Sequence, residues 1–310
     1  MMKNIFILIL TSIVFFSCEK TIQIDIPDDG RKLVINSFFA ADSALQLSLT
    51  KSRYILDSKY TYEKVPNADI RLFEEDNFIE KLQETPDSEY VSNYVLKADK
   101  NYKLEVKAGD FPESVVESYI PKKTDMKSLE VYNTKDEEGY DAIGFTIEFN
   151  DDINSENYYF IQVYERVVEH STSYSTGADT TYIYFDRLYL YSTDPSAFSD
   201  DWYLDRGLLV NDDIFNGKNY SLKFFAYNGY YGIMYDEFGN PIESSAVDIS
   251  YYVYFYTVSK DYYLYYKTLS KHMEAQDEFF MEPVQVYTNV ENGFGIFAGY
   301  SIDADSTRIQ

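Results

Sequence analysis

The stretch Lys100-Asn101-Tyr102-Lys103-Leu104-Glu105-Val106 alternates polar and apolar residues. Successive side chains of a β-strand point to opposite faces, so this alternation predicts a strand with Tyr102, Leu104 and Val106 on one face. Other stretches repeat the pattern: Ile22, Ile24 and Ile26; Leu45, Leu47 and Leu49; Ala68, Ile70 and Leu72; and Ile143, Phe145, Ile147 and Phe149. Short turn-forming segments separate these strands, which predicts an all-β fold built from β-sandwiches.

A second stretch, Lys218-Asn219-Tyr220-Ser221-Leu222-Lys223-Phe224, resembles the first, and each has a Tyr near its start. A Tyr in this position is similar to the tyrosine corner of immunoglobulin-like sandwiches, in which the hydroxyl bonds to backbone a few residues upstream. We therefore predict two immunoglobulin-like or fibronectin-like β-sandwich domains. The first covers residues 18–122, and the second, larger domain covers residues 123–310. Pro121 and the residues that follow it are the predicted linker.

One helix is predicted near residues 259–276. Ser259 can cap its start, and Asp261 suits the positive N-terminal end of a helix. Apolar residues recur along one helical face: Tyr262, Tyr266, Leu269 and Met273. We expect this face to pack over the open end or edge of the second sandwich, and the alternative is a helix that binds a partner.

The first 18 residues indicate where the protein is sent. A positive start at Lys3 precedes an apolar run over residues 5–16, and Cys18 is the only cysteine. The run is too short to cross a bilayer and has the length of a signal-peptide hydrophobic region. A cysteine placed directly after such a region resembles a bacterial lipoprotein site, at which residues 1–17 are removed and Cys18 is acylated with palmitate. The alternatives are an uncleaved anchor and a secreted protein with a spare thiol.

The charge balance limits the classes of partner. The chain has 27 Lys and Arg residues against 52 Asp and Glu residues, which gives a net charge of −25. Such a surface repels nucleic-acid phosphates and anionic lipid headgroups, so we expect neither as a partner of the protein surface. Attachment to a membrane then depends on the lipid at Cys18.

The sequence contains no recognisable catalytic motif. The two histidines, His170 and His272, are far apart in sequence, and no nucleophile-elbow, H-E-x-x-H or C-x-x-C motif is present. We therefore expect no enzymatic activity and no cofactor.

Several acidic turns contain residues that could bind calcium: Asp28 and Asp29, residues 150–152, Asp200 and Asp201, and Asp303 and Asp305. None has the alternating ligand spacing of a calcium-binding loop, so we expect solvated turns and no metal site. Asp212 and Asp213 either cap a turn or bind a cation, and turn propensity favours the cap.

Aromatic residues provide the candidate binding surface. The chain has 33 Tyr residues, and Tyr227, Tyr230, Tyr231 and Tyr235 fall in one Gly-containing loop that we predict to be the contact surface. A second cluster surrounds Asp186 and Arg187: Tyr182, Tyr184, Tyr189 and Tyr191. The alternative for either cluster is that Tyr fills strands that have one solvated edge.

Three segments carry a resemblance to a known family. They are Cys18 to Asn36, which includes Ile24-Asp25-Ile26-Pro27 and Lys32-Leu33-Val34-Ile35-Asn36; Asn211 to Lys218; and Asn289-Val290-Glu291-Asn292-Gly293-Phe294-Gly295-Ile296-Phe297. Together they resemble the domain-of-unknown-function family numbered 4249, lipoproteins of Bacteroidota outer membranes. The resemblance extends from Cys18 to about Tyr300.

The resemblance implies β-sandwich domains, no assigned reaction and an accessory role in TonB-dependent nutrient uptake at the outer membrane. The implied partner is a TonB-dependent transporter or its lipoprotein partner, on either the cell-surface or the periplasmic face. The alternative is a stand-alone surface lipoprotein that binds glycans or peptides. The family supplies no catalytic residues to carry over.

Overall fold

The computed structural model describes residues 30–54, 56–57, 61–172, 179–199, 207–227, 244–277 and 281–308. The described residues are mostly in β-strands. In chain order the strands are β1 (Leu33–Ala40), β2 (Ala44–Lys51), β3 (Asp69–Glu74), β4 (Asn77–Lys81), β5 (Gln83–Glu84), β6 (Glu89–Val95), β7 (Lys100–Lys107), β8 (Ser114–Ile120), β9 (Met126–Lys135), β10 (Asp141–Asn150), β11 (Tyr158–Thr172), β12 (Asp179–Arg187), β13 (Ala197–Ser199), β14 (Leu208–Asn211), β15 (Asn219–Tyr227), β16 (Ser244–Val258) and β17 (Gly293–Thr307). The helix α1 (Lys260–Asp277) lies between β16 and β17.

The first sandwich packs the strands β1-β2-β6-β5 against the sheet β4-β3-β7-β8. This is the strand arrangement of an immunoglobulin-like sandwich, in which strand F carries the tyrosine corner, and β7 occupies the position of strand F. Tyr102 is buried near the start of β7, and its hydroxyl accepts the backbone N–H of Lys97 at 2.8 Å. The hydroxyl also donates to Glu74 Oε2 at 2.9 Å. The predicted tyrosine corner is therefore confirmed at Tyr102.

The second sandwich packs the sheet β15-β10-β9 against the strands β13-β14-β11-β16-β17. The alternating residues predicted to share one face of β10 are all buried in its core: Ile143, Phe145, Ile147 and Phe149. Phe145 stacks on Phe224 of β15 with ring centroids 5.2 Å apart. The all-β prediction with two sandwiches and a helix in the C-terminal region is confirmed.

Tyr220 does not form the tyrosine corner that the sequence predicts for it. Its hydroxyl donates to the carboxylate of Asp194, at 2.8 and 2.7 Å from the two oxygens, and does not bond upstream backbone. Its ring stacks on Phe215 at 3.9 Å. The prediction was wrong for this residue because the loop before β13 places a charged acceptor within reach of the hydroxyl.

The long strand β17 connects the two sandwiches. Its residues 293–300 pair in parallel with β1, and its residues 300–307 pair antiparallel with β16, which makes one ten-stranded sheet. The predicted boundary after residue 122 falls between β8 and β9. Val290 and Phe297 belong to the core of the first sandwich although they follow that boundary by many residues.

The segment that follows Pro121, which includes the predicted linker, crosses from β8 to β9 without regular structure. It is fixed to the shared sheet, because Ser301 Oγ donates to the Pro121 carbonyl at 2.6 Å and the Thr124 N–H donates to Thr257 Oγ1 at 3.0 Å. The N–H of Met126 then donates to Asp303 at 2.8 Å. The linker is therefore held in place by β16 and β17 of the second sandwich.

The helix α1 begins where the sequence predicts. Ser259 Oγ accepts the N–H of Tyr262 at 3.3 Å, which is the bond of an N-cap. The prediction that α1 covers an open end or edge was wrong, because it lies on the outer face of the ten-stranded sheet against Phe160, Val258 and Ile296. The strands β11, β16 and β17 carry apolar residues on both faces, so their outer face is also buried, and α1 packs on it.

The N-terminal end of α1 is also tied to the first sandwich. The Asp261 carboxylate accepts hydrogen bonds from Ser118 Oγ of β8 at 2.5 Å and from Tyr287 Oη at 2.7 Å. In the described ranges, no helix combines the length and the apolar character that spanning a bilayer requires.

Candidate binding surfaces

The outer face of the sheet β15-β10-β9 carries aromatic rings. Along each strand, every second residue points inward to the core, and the residues between them point outward. Tyr132 of β9 and Phe225 of β15 flank Gly144 of β10 in register. A Cβ at Gly144 would lie 2.4 Å from the Tyr132 ring, so only glycine lets that ring lie directly over the strand.

Tyr227 extends this aromatic surface at the end of β15. Its ring lies 5.1 Å from Tyr191 and 5.7 Å from Phe225, and 41% of the residue is exposed. Its hydroxyl donates to Asp136 at 2.7 Å, and this hydrogen bond raises the pKa of Tyr227 to about 12. We name the surface formed by Tyr132, Tyr191, Phe225 and Tyr227 the tyrosine face.

Only part of the predicted contact surface can be placed. Tyr230, Tyr231 and Tyr235 lie outside the described residues, as does Cys18. Sequence reasoning identified Tyr227 and Tyr191 but missed Tyr132 and Phe225. The sequence of β10 offered a way to find both. Its inward residues alternate with outward ones, and Gly144, at the centre of the outward set, leaves room for rings from the strands on either side.

The second predicted Tyr cluster does not form a single surface. Tyr182 and Tyr184 stack at 6.3 Å on one face of β12, while Arg187 lies on the opposite face and donates from Nε to Tyr164 Oη at 2.9 Å. Tyr191 joins the tyrosine face instead, through an isolated bridge to Phe225. The alternation of β12 therefore separates residues that are neighbours in sequence.

A polar cleft of about 1220 Å³ opens between the two sandwiches beside the linker. In the lining of the cleft, Lys260 Nζ lies 2.9 Å from Glu156 Oε2, and Tyr119 Oη accepts the backbone N–H of Lys260 at 3.2 Å. Lys100 and Lys122 also line the cleft and form no ion pair with the described residues. Clefts at such junctions are common ligand sites, and this one offers hydrogen-bonding groups of both charges.

The acidic residues of the turn near Asp212 are used to hold loops together. The Asp212 carbonyl accepts the N–H groups of Phe215 and Asn216, which confirms the predicted turn. Its buried carboxylate accepts the Asn157 N–H at 2.8 Å. Burial, and secondarily the charge of nearby Asp151, raises the pKa of Asp212.

Asp151 is one of the predicted calcium candidates, and its carboxylate is occupied by protein groups. It accepts Tyr159 Oη at 2.6 Å and the Gly217 N–H at 2.7 Å. Of the other candidates, Asp303 accepts Lys123, and residues 28, 29, 200 and 201 lie outside the described ranges. Within those ranges, no group of three or more His, Cys, Asp or Glu side chains is placed to hold a metal ion.

The two histidines also contact protein groups. His272 Nδ1 lies 2.6 Å from the Val284 carbonyl oxygen and joins α1 to the segment that precedes β17. His170 Nδ1 lies 2.7 Å from Thr181 Oγ1 across the β11–β12 pair.

The architecture defines an all-β protein of two sandwiches that share one sheet. The sequence pattern of a family described as Domain of unknown function (DUF4249) matches residues 19–306, and the chain belongs to this family. No curated protein matches the chain.

One similar solved structure comes from a study of the promiscuous specificity of carbohydrate-binding modules of the β-sandwich superfamily. It is 9% identical, the match covers 65% of this chain and 97% of that chain, and the TM-score is 0.19. A likeness at this score carries no argument about function.

Proposed function

We propose that the protein is a lipid-anchored, non-enzymatic accessory subunit of a TonB-dependent nutrient-uptake system in the outer membrane. The observation that carries the proposal is where the family match begins. It starts at residue 19, one residue after Cys18, as expected if residues 1–17 are a removable leader and Cys18 is the first residue of the mature protein. The acylated Cys18 would then attach the folded chain to the membrane.

The proposed partner is a TonB-dependent transporter or the lipoprotein that accompanies it. The acidic surface of this chain repels anionic headgroups, which favours an attachment made by the lipid and a docking made by protein contacts. The tyrosine face supports the docking role, because exposed Tyr and Phe rings supply large contact areas at low entropic cost.

Co-purification tests the proposal. Outer membranes are solubilised in a mild detergent, and the tagged full chain is expected to bring down a large β-barrel transporter whose gene lies beside its own. The Cys18→Ala variant is the control, because loss of the lipid should remove it from the membrane and from the complex. Recovery of the lipoprotein alone under these conditions contradicts the accessory role.

The second candidate is a surface lipoprotein that binds glycans or peptides by itself. The tyrosine face favours it, because the Tyr132 ring lies over Gly144 and presents a flat surface for stacking. Calorimetry with glycan and peptide panels, in the absence of any other protein, separates the candidates. Binding that is lost in Tyr132→Ala and kept in Tyr140→Ala, a change at another exposed tyrosine, supports this second function.

A further inference from the structure

The strand β12 is a long edge strand whose central part lacks the usual protection against pairing. It pairs with β11 along one side, and no strand of the described residues pairs with its other side. Edge strands are normally protected by short length, charged side chains (lysine above all), proline or a bulge. The terminal strands β5 and β13 of the same sheet have two and three residues, and the edge strand β9 carries Lys127 and Lys135.

By contrast, β12 has nine residues and no Lys or Pro, and its charged residues lie only at its two ends, so residues 180–185 are uncharged. Its central residue Ile183 is 62% exposed, and Phe185 on the same face is 53% exposed. Residues of this type favour strand pairing, so the side of β12 that faces away from β11 is suited to accept another strand.

The sequence of β12 is complementary to itself when two copies run antiparallel. It reads Asp-Thr-Thr-Tyr-Ile-Tyr-Phe-Asp-Arg over residues 179–187. Pairing centred on Ile183 places Asp179 of one copy opposite Arg187 of the other, at both ends of the contact. Residues directly opposite in an antiparallel pair point to the same face, so these opposite charges meet and stabilise the register.

The same register keeps like charges apart along the strand. Thr181 comes opposite Phe185 of the second copy, and Tyr182 comes opposite Tyr184, so the centre pairs β-branched residues and aromatic rings. Such cross-strand pairs are among those that stabilise antiparallel sheets.

We propose that β12 is a homodimerisation strand, along which two copies of this chain pair antiparallel around a twofold axis at Ile183. A twofold contact requires a surface that complements itself, and the charge pattern of β12 meets that requirement. The pairing joins two ten-stranded sheets into one continuous sheet.

Neighbouring side chains hold the outer face of β12 in position for this contact. Phe185 stacks on Tyr164 at 5.3 Å and lies 5.6 Å from Tyr252. The Arg187 guanidinium carbon lies 5.1 Å from the Tyr164 ring centroid, so Arg187 is kept on the face that Ile183 and Phe185 share. A contact surface that is ordered before binding loses less entropy on association.

The dimer is expected to be weak in dilute solution. A contact between two nine-residue edges is smaller than the roughly 1,600 Å² of a standard stable interface, and two bodies of charge −25 repel each other. Confinement of the copies to one membrane raises their effective concentration, so the pairing is strongest on the membrane if the proposed anchor is present. The pairing itself does not depend on the anchor.

Disulfide trapping in the full chain tests both the surface and the register. Residues directly opposite in an antiparallel pair have Cα atoms about 4.5 to 5.5 Å apart, within the range that a disulfide can bridge. Ile183→Cys is therefore expected to give disulfide-linked dimers on non-reducing gels of cell membranes. Ile153→Cys, at an exposed residue of the turn after β10, is the matched control and is expected to stay monomeric.

A pair of further variants fixes the register. Thr181→Cys and Phe185→Cys are each expected to give no dimer alone, but to give a mixed dimer when two differently tagged copies are co-expressed. Absence of a dimer with Ile183→Cys overturns the proposal, and so does an equal yield from Ile153→Cys or from Thr181→Cys alone.

Charge reversal provides a second measurement that needs no cross-link. Asp179→Arg or Arg187→Asp alone is expected to weaken self-association of the purified full chain by about tenfold in sedimentation, because each change makes two repulsive contacts per dimer. The double variant is expected to restore it. Thermal unfolding confirms that each variant is folded, and a double variant no tighter than the single ones contradicts the register.

Discussion

Gly295 of β17 passes so close to β1 that a Cβ at this position would lie 2.0 Å from the carbonyl oxygen of Ile35. Its φ angle is +102°, which side chains other than glycine rarely adopt. Asn289 holds the adjacent part of β17 in place. Its side chain accepts the N–H of Phe297 at 3.1 Å and donates to the Phe297 carbonyl at 2.8 Å. The family segment Asn289 to Phe297 thus sets the parallel β1–β17 pair that joins the sandwiches.

Gly295→Ala is expected to destabilise the chain by at least about 3 kcal/mol, since it adds a steric conflict to a strained backbone angle. Gly139→Ala is the matched control, because Gly139 also has a positive φ but no atom within 4 Å of the added Cβ. We expect the control to cost only about 1 to 2 kcal/mol. Equal losses in urea unfolding would show that the close approach to Ile35 is unimportant.

Tyr102→Phe is expected to cost about 1 to 2 kcal/mol, because the change leaves the Lys97 N–H without its hydroxyl partner, although Glu74 keeps the hydrogen bond from Tyr94 Oη. Tyr220→Phe should cost less, since Asp194 keeps hydrogen bonds from Ser196. Chemical denaturation of both variants measures the difference. A larger loss at Tyr220 would contradict the assignment of the tyrosine corner.

Tyr262→Ala is expected to destabilise the chain by about 3 to 5 kcal/mol, as large aromatic truncations in cores do. Its buried ring lies 5.2 Å from Phe38 and 5.8 Å from Phe160 and fixes α1 on the shared sheet. Tyr140→Ala, at a residue that is 63% exposed, should change stability by less than about 0.5 kcal/mol. Similar unfolding curves for the two variants would mean that α1 contributes little to the fold.

The contributions of Asp212 and Asp152 to the stability of the fold are expected to change with pH in opposite directions. Burial raises the pKa of Asp212, so above the ordinary Asp value of about 3.9 the native state keeps a proton that the unfolded state has lost. Wild type therefore loses stability relative to Asp212→Asn as pH rises from that value through the raised native pKa.

Hydrogen bonds from Asn154 lower the pKa of Asp152, so the sign reverses there. Relative to Asp152→Asn, wild type keeps its advantage above the ordinary Asp value and loses it as pH falls through the lowered native pKa. Stability measured across pH for the two variants checks both signs. Slopes of the same sign would contradict the assigned environments.

The local parts of the fold could be predicted from the sequence because local patterns determine them. The alternation around Leu104 and Phe145 predicted strands and core faces, and the Ser259 cap predicted the start of α1 to within one residue. The parallel pairing of β1 with β17 depends on residues far apart in the chain, for which a single sequence has no local signal. The position of α1 was predicted wrongly because the helix was not matched to the apolar outer faces of β11 and β16, which it covers.

The candidate surfaces were predicted less well for a similar reason. Tyr227 was identified from its loop, but the tyrosine face also needs Tyr132 and Gly144, which only strand register brings together. The Tyr residues around Arg187 looked like one cluster in sequence, but the pleat of β12 places Arg187 and Tyr184 on opposite faces.

Metabolic labelling with a palmitate analogue, combined with membrane fractionation, tests whether Cys18 carries the lipid anchor. We expect the wild-type chain to be labelled and found in the outer-membrane fraction, and Cys18→Ala to be unlabelled and to leave that fraction. An unlabelled wild-type chain, or a Cys18→Ala variant that stays in the membrane to the same extent, would contradict the proposed lipid anchor.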